Sequence, residues 1–490
     1  MAVLKDNSER NDYSAQVESA DQGCLSDCEI FRRICKVALP NYPGQIVGRC
    51  VGLASAALVG HLNDASQLAA LALCNVVCNI TGYSWLSGLS AAISTLSSQS
   101  WGAKSYRAVG INLQRGFLIL LFCADVPLLV LWLFSEQLLI AMNMDADVAK
   151  WVGIYTKIRA PGIIFETLNA VVSRTLSSIE NTRINMYAGI LTTALNVILN
   201  FVLIPRIGFI GAPITVLTCD IVQATGVCVL AWRDGDFQKC WPGLSRDAWK
   251  DWCRFFRLSC PSLWLQNIEY WSWDLHSFIA GFISTEAQAT QAMAPQITDL
   301  QYAVGASLGV AASTVTGNLL GEGRSGDARR TSTLLMRIVL LIMLCQLGLF
   351  ATLRYEVPRW FTEDEVIINN IINLFPLTLA FSFTDSHQAA LTGILTGAGK
   401  QAIAAPIIFV CYWIVGVPLG ILLAFGKLGM SPWGLQGLWT GMLVAVICHT
   451  FAFFIVVWRL DWSSIALRVR ERISCEEQRS EAGTSLVEQS

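Results

Sequence analysis

Charge is scarce in this chain. Asp, Glu, Lys and Arg make up 14% of its 490 residues, against roughly 25% in soluble proteins. Hydrophobic residues make up 54%. A water-soluble core has no room to hide that much apolar surface, so the class is an all-α polytopic membrane protein. There is no basic excess. The net charge of −2 excludes a nucleic-acid binder. There are only 4 histidines, and they are scattered. No Ser/His/Asp or metal-ligand constellation is legible, so we expect no catalytic residue, no metal, no cofactor and no enzyme. The 16 cysteines lie mostly in apolar segments, where Cys behaves as a small hydrophobe. Cys24 and Cys28 form C-x3-C without a second pair, which excludes a zinc site. The glycine-rich GEGRSG lacks the Gly-Lys-Ser/Thr ending of a phosphate loop. The start of the chain lacks the basic-then-apolar pattern of a cleaved signal peptide.

Long apolar runs are abundant. A bilayer span needs roughly 20 such residues. Runs fall at 39–60, 67–92, 114–135, 151–175, 185–205, 211–232, 260–284, 288–316, 333–353, 366–395, 402–425 and 434–458, which predicts twelve transmembrane helices. Pro127, Pro161, Pro261, Pro295, Pro376, Pro406 and Pro418 mark expected kinks. The even-numbered loops carry most of the basic residues, among them Lys104, Arg107, Arg233, Arg254, Arg324, Arg330 and Lys400. The odd-numbered loops carry Lys150, Arg206, Arg354, Arg359 and Lys427. Basic loops stay inside, so both termini are expected in the cytosol.

The longest interior loop divides the helices six plus six. The expected organisation is a disordered cytosolic tail over 1–38, an N-lobe of helices 1–6 over 39–232 and a cytosolic linker over 233–259. A C-lobe of helices 7–12 follows over 260–458, then a cytosolic tail over 459–490. The linker stretch DAWKDWCRFFRLS mixes aromatics with bases, as an interfacial helix does. The C-terminal tail is expected to begin as a basic amphipathic helix and then to lose order.

The seventh run holds the sharpest signal. PSLWLQNIEYWSWDLHSFIAGF carries Glu269 and Asp274. An acid at the bilayer centre costs about 2.5–3.5 kcal/mol on insertion scales, so it usually faces a cavity and serves a cation or proton. At 100° per residue the two acids sit about 140° apart, while Trp273 and His276 lie near the Glu269 face. Desolvation disfavours the charged form of a carboxylate, which suits proton exchange. A bound cation favours the ionised form, so proton and cation compete, and that is antiport in its simplest form. Aromatics add cation–π attraction of about 0.5–2 kcal/mol each. The plainer reading is that Glu269, Asp274 and the further acid Asp385 only bridge helices. His276 and His387 each stand two residues after an acid, facing away from it, as proton carriers or as buried hydrogen-bonders. Glu166, Asp220 and Asp299 read as structural acids. Arg49 is the only basic residue read deep in the first bundle, with Asp125 as its expected partner.

The halves resemble each other. Ser94-Thr95, Gln99 and Gly102 correspond to Ser313-Thr314, Asn318 and Gly321, and the same offset carries LSSIENTR at 176–183 onto LTGAGKQA at 395–402. Six-helix halves of equal orientation are parallel repeats.

Several stretches resemble the multidrug and toxin extrusion (MATE) family, in particular its eukaryotic branch. SAAISTLSSQSWGAKSYRAVGINLQRG, GASLGVAASTVTGNLLGEGRSGDARR, LTGILTGAGKQ, GQIVGRCVGLASAALVGHL and LNVILNFVLI are similar to family segments, and the resemblance covers roughly residues 40–470. It implies a V-shaped pair of six-helix bundles. It implies secondary active export of organic cations, xenobiotics or metabolites, driven by protons or sodium, with alternating access between lobes. Glu269, Asp274 and Asp385 fall on family acids of the C-terminal lobe. Gln45 and Asn79 match polar positions of helices one and two. Tyr270, Trp273 and Tyr302 fall near pocket aromatics, and Gln296 stands where animal relatives have Glu. Two family Glu positions are Asp here, and the bacterial helix-one Asp is replaced near Ser55.

The expected partners are thus a small organic cation, protons (or sodium) as the coupling ion, and the bilayer. A monomer is expected, in the plasma membrane or a vacuolar or other organellar membrane. A lipid-linked glycan flippase is the competing transporter reading, but such cavities favour basic residues. A membrane scaffold or receptor is the non-transport alternative, and the repeat and the acids speak against it.

Overall fold

The computed structural model describes residues 25–60, 65–142, 144–360, 364–426 and 431–488. Every regular element among them is helical. All twelve predicted runs lie in helices. Seven helical stretches are long and apolar enough to cross a membrane, and the longest, Arg183–Trp232, holds two runs. These two part at Gly208, whose φ of +66° and ψ of −147° only glycine adopts without strain. The seventh helix, Trp252–Ala280, is missing from the seven because its acids and arginines lower its hydropathy.

Two compact units form. The first comprises Leu39–Leu263 with the chain from Val469 on, and the second Trp264–Arg468 with the chain up to Ala38. In the first, Leu86, Leu89, Ile93, Leu96, Val171 and Phe255 share a buried core.

Three of the seven prolines stand at a helix break or a π segment, while Pro261, Pro295, Pro376 and Pro406 lie inside helices. Pro161 parts Ala146–Arg159 from Gly162–Ser178. Pro127 and Pro418 directly follow π-helical segments, Leu121–Asp125 and Val410–Gly416. A proline clashes with the carbonyl four residues earlier, and the wider π turn relieves that clash. A third π segment, Asn79–Tyr83, interrupts the second helix. Such bulges often mark functional positions. Here they hold Asn79, Tyr83, Asp125 and Tyr412.

The tails differ from expectation. The segment read as a disordered tail is helical from Asp27, in one helix that runs to Gly60. Ser26 and Glu29 form a capping box, with Ser26 N–H donating to Glu29 Oε2 at 3.0 Å and Glu29 N–H to Ser26 Oγ at 3.2 Å. Ile30, Ile34 and Val37 make a buried stripe. Arg33 pairs with Glu322 at 2.8 Å, and Asp27 with Arg330 at 2.7 Å. The rest of the expected tail, 1–24, lies outside the described residues. The C-terminal helix runs Trp462–Glu488, past the point where order was expected to end. Its Trp462, Ile465, Val469 and Ile473 are buried, and Arg254 pairs with Glu476. The linker holds two short turns, Gly235–Cys240 and Arg246–Trp249, rather than one interfacial helix. The aromatic-basic stretch starts the seventh helix instead, because Phe255 is drawn into the core.

In the second unit, the eighth helix, Thr285–Gly321, and the tenth, Glu365–Gly397, meet backbone to backbone. A Cβ on Gly393 would stand 2.1 Å from the Gly309 carbonyl oxygen, and one on Gly305 2.7 Å from Ser386 Cα. Small residues four apart allow this approach. Gly393→Ala is therefore expected to destabilise the protein by about 1–3 kcal/mol, as overpacked cores do. Thermal unfolding in detergent measures it, and an unchanged midpoint refutes the tight contact.

Candidate functional site

The seventh helix places its acids as the 100° turn requires. Glu269 is half-buried, whereas Asp274 is exposed on another face. Trp413 Nε1 donates to the Ile268 carbonyl at 3.0 Å, which ties the eleventh helix beside Glu269. Ser272 Oγ donates to the Glu269 carbonyl at 2.7 Å.

Four further helices complete the site. Asp385, on the tenth, is 8% exposed, and Tyr412, on the π segment of the eleventh, is fully buried. The Tyr412 hydroxyl has no hydrogen-bond partner among the described residues. Glu269, Asp385 and Tyr302 of the eighth helix all lie near enough to act on it electrostatically. Two acids far apart in sequence thus lie in the surroundings of one buried phenol. Beside them Trp273, Phe381 and Trp439 form an edge-to-face cluster, with ring centroids 5.1, 5.6 and 6.0 Å apart. Gln291 accepts from Trp439 Nε1 at 2.9 Å and fixes that ring.

His276 and His387 each hydrogen-bond a backbone carbonyl. His276 Nδ1 lies 2.7 Å from the Ser272 carbonyl, and His387 Nδ1 2.7 Å from that of Phe383. A carbonyl only accepts, so Nδ1 carries the hydrogen in both. A third, His449, is fully buried between Tyr412 and Phe453, at ring-centroid distances of 5.9 and 4.1 Å. Sequence reasoning passed over His449 and Tyr412, because a lone polar residue in an apolar run has no pattern around it.

The other candidates are more dispersed. Tyr270 is half-buried next to Glu269, and Gln296 is exposed. Gln45 and Asn79 are half-buried in the first unit, apart from the acids of the second.

The first unit holds more charge than expected. Arg159 pairs with Glu166 at 3.2 Å and sits over the Trp132 ring at 5.5 Å, and the Asp220 charge also acts on it. Asp125 accepts from Thr167 Oγ1 at 2.8 Å. The side chain of Arg49, its expected partner, lies outside the described residues. Among the described residues the first unit has further bases within its helices, including Arg159 at the end of Ala146–Arg159 and Arg174 on Gly162–Ser178. A signal for part of this was present. The repeat offset also carries Tyr83 onto Tyr302 and Glu166 onto Asp385.

Among the described residues no three His, Cys, Asp or Glu side chains gather as a metal site. The second-unit site is an acid pair with aromatics inside apolar helices.

The model of the MatE family matches residues 44–202 and 261–422. The chain belongs to the MatE family. Its members among curated proteins include multidrug and toxin extrusion protein 2 of Mus musculus, 31% identical over 438 residues, covering 89% of this chain and 75% of the mouse protein. Multidrug and toxin extrusion protein 1 of Homo sapiens is 28% identical over 436 residues, covering 89% and 75%. The crystal structure of the eukaryotic MATE transporter AtDTX14 superposes with a TM-score of 0.83 at 24% identity, covering 91% of this chain and 99% of that one. This MatE chain is thus an integral membrane transporter, and its twelve helices agree with the MATE fold.

Proposed function

We propose that this transporter is a proton-coupled antiporter that exports organic cations, with Glu269 and Asp385 as the coupling pair. The observation that supports the reading is that Glu269 and Asp385, on separate helices, both act electrostatically on the buried Tyr412, with the Trp273 aromatic cluster on the same two helices and the twelfth. Two carboxylates close together in an apolar setting resist double ionisation, so one proton or one cation satisfies the pair. The aromatic faces attract the cation. Arrival of the proton then releases it, and alternating access of the two six-helix lobes, 39–232 and 260–458, completes the exchange. Asp274, on another face, takes an accessory role, and Asp274→Asn lowers uptake less than changes at the pair. Both termini lie in the cytosol, and the working unit is a monomer of the plasma membrane or a vacuolar or other organellar membrane.

The test is uptake of a radiolabelled quaternary ammonium ion into proteoliposomes under an imposed pH gradient. Proton-driven uptake supports the reading. Uptake that follows a sodium gradient instead replaces the coupling ion, and no cation uptake by folded protein refutes the substrate class. Within this scheme Tyr412 positions the pair. Tyr412→Phe keeps the ring, and loss of an unpartnered buried hydroxyl is close to neutral for stability. It is expected to displace the pH profile of uptake while the melting temperature stays. An unchanged profile removes the hydroxyl from the mechanism.

A further inference from the structure

Among the described residues, one guanidinium of the first unit has no acid paired with it. Arg174 lies on the fourth helix, four residues before its end at Ser178. Nη1 donates to Ser94 Oγ at 3.3 Å, and Nη2 donates to the Ser87 carbonyl at 3.0 Å and to Ser87 Oγ at 3.2 Å. Among the described residues, Tyr83 also acts on its charge. No ion pair involves Arg174 among the described residues, whereas Arg159, at the end of the preceding helix, has Glu166. Glu166 stands eight residues away, about 12 Å along the helix.

An intramembrane base normally pairs with an acid, and one that does not is a functional-site candidate. The surroundings give its chemistry. Along the second helix, Tyr83, Ser87 and Ser94 are open or half-open, while Ser84, Leu86, Leu89, Ser90, Ile93 and Thr95 are buried. Tyr83, Ser87 and Ser94 recur at helical spacing and so share one face, while Trp85, also exposed, lies on another. Arg174 is itself half-buried. A guanidinium has five N–H donors in a planar fork, and the serines use only some of them. The serines thus hold the head in place and leave part of the fork reachable. The strip therefore offers a fixed cation and three hydroxyls and no carboxylate, the reverse of the acid pair in the second unit. Guanidinium geometry suits an oxyanion with two oxygens in one plane.

We propose that Arg174, with Ser87, Ser94 and Tyr83, forms a subsite for the anionic group of a transported molecule, a carboxylate or sulfate. The inference rests on the transporter reading and extends its substrates to zwitterions and anionic conjugates. Arg174 then sets specificity without carrying the coupling proton.

The test uses full-length protein in proteoliposomes. Equilibrium binding of 5-carboxyfluorescein is followed by anisotropy, and tetraethylammonium uptake under a pH gradient is followed in parallel. Wild type is expected to bind the dye saturably. Arg174→Gln raises its Kd about tenfold or more, as loss of a charge-assisted fork does, with tetraethylammonium uptake kept. Arg174→Lys, which retains charge without the fork, falls between and stands in if the Gln variant misfolds. Absence of saturable binding to wild type, or equal binding by the Lys and Gln variants and wild type, overturns the subsite. Equal loss of dye binding, cation uptake and melting temperature in both variants makes Arg174 a helix staple and overturns it too. Dye binding intact in wild type without any cation uptake strikes the proposed function instead and leaves the subsite standing.

Discussion

Glu269→Gln is expected to abolish gradient-driven cation uptake while the protein remains folded and monodisperse. The amide has nearly the shape of the acid, but it neither releases a proton at any working pH nor carries the charge that holds a cation. Loss of a charged contact removes about 1.5–3 kcal/mol, roughly tenfold to a hundredfold in affinity. Coupling fails more completely, because a site that is always neutral has no second state to alternate with. Asp385→Asn leaves one ionisable acid at Tyr412 and is expected to give a partial loss, with residual uptake less steep in pH. The measurement is initial uptake against imposed pH gradient for the wild type and both variants, with melting temperature as the control for folding. Full gradient-driven uptake by Glu269→Gln would falsify its role in coupling. A folded Asp385→Asn that matches wild type reduces Asp385 to a bridge between helices.

The second large effect concerns stability. Arg159 and Glu166 form an ion pair whose side chains keep only 16% and 20% exposure. Breaking a buried pair from one side leaves a charge uncompensated and costs about 3–5 kcal/mol. Arg159→Met is expected at the lower end, about 3 kcal/mol, because neither partner is wholly sealed. It strands Glu166 and also removes the cation over Trp132. Adding Glu166→Gln to Arg159→Met takes away the stranded charge and should restore most of the stability. Unfolding curves of the two single variants and the double variant in detergent form the cycle. If the single and double variants melt together, the pair is not coupled, and the charge of Arg159 has its main partner elsewhere, with Asp220 the nearest candidate.

These two sites show what kind of feature is legible in a sequence. Glu269 stood out because a charge in an apolar run is costly wherever the run is placed. The same argument covers Asp385, and the turn of the helix separates Asp274 from Glu269. Tyr412 and His449 carry no such cost in sequence, since tyrosine and histidine fit apolar runs as aromatics. They gain meaning only where packing removes their partners. Arg159 and Arg174 drew no reading from the sequence, and their different fates depend on which side chains the neighbouring helices bring. The capping box at Ser26 and the stripe Ile30, Ile34, Val37 were present in the sequence, but their short range was outweighed by the polar composition around them.

The amino-acid sequence by itself determined the class, the helices and the acids. Hydropathy and helical periodicity are local properties, and the energy of placing a residue in hydrocarbon does not depend on its distant neighbours. Only the tertiary structure decided that Glu269 and Asp385 both lie near enough to act on Tyr412 while Asp274 is exposed on another face, and that Arg159 has an acid while Arg174 has hydroxyls. Those outcomes depend on which faces of separate helices meet. Contacts such as Gly393 against Gly309 set that choice, and they join residues that no local period relates.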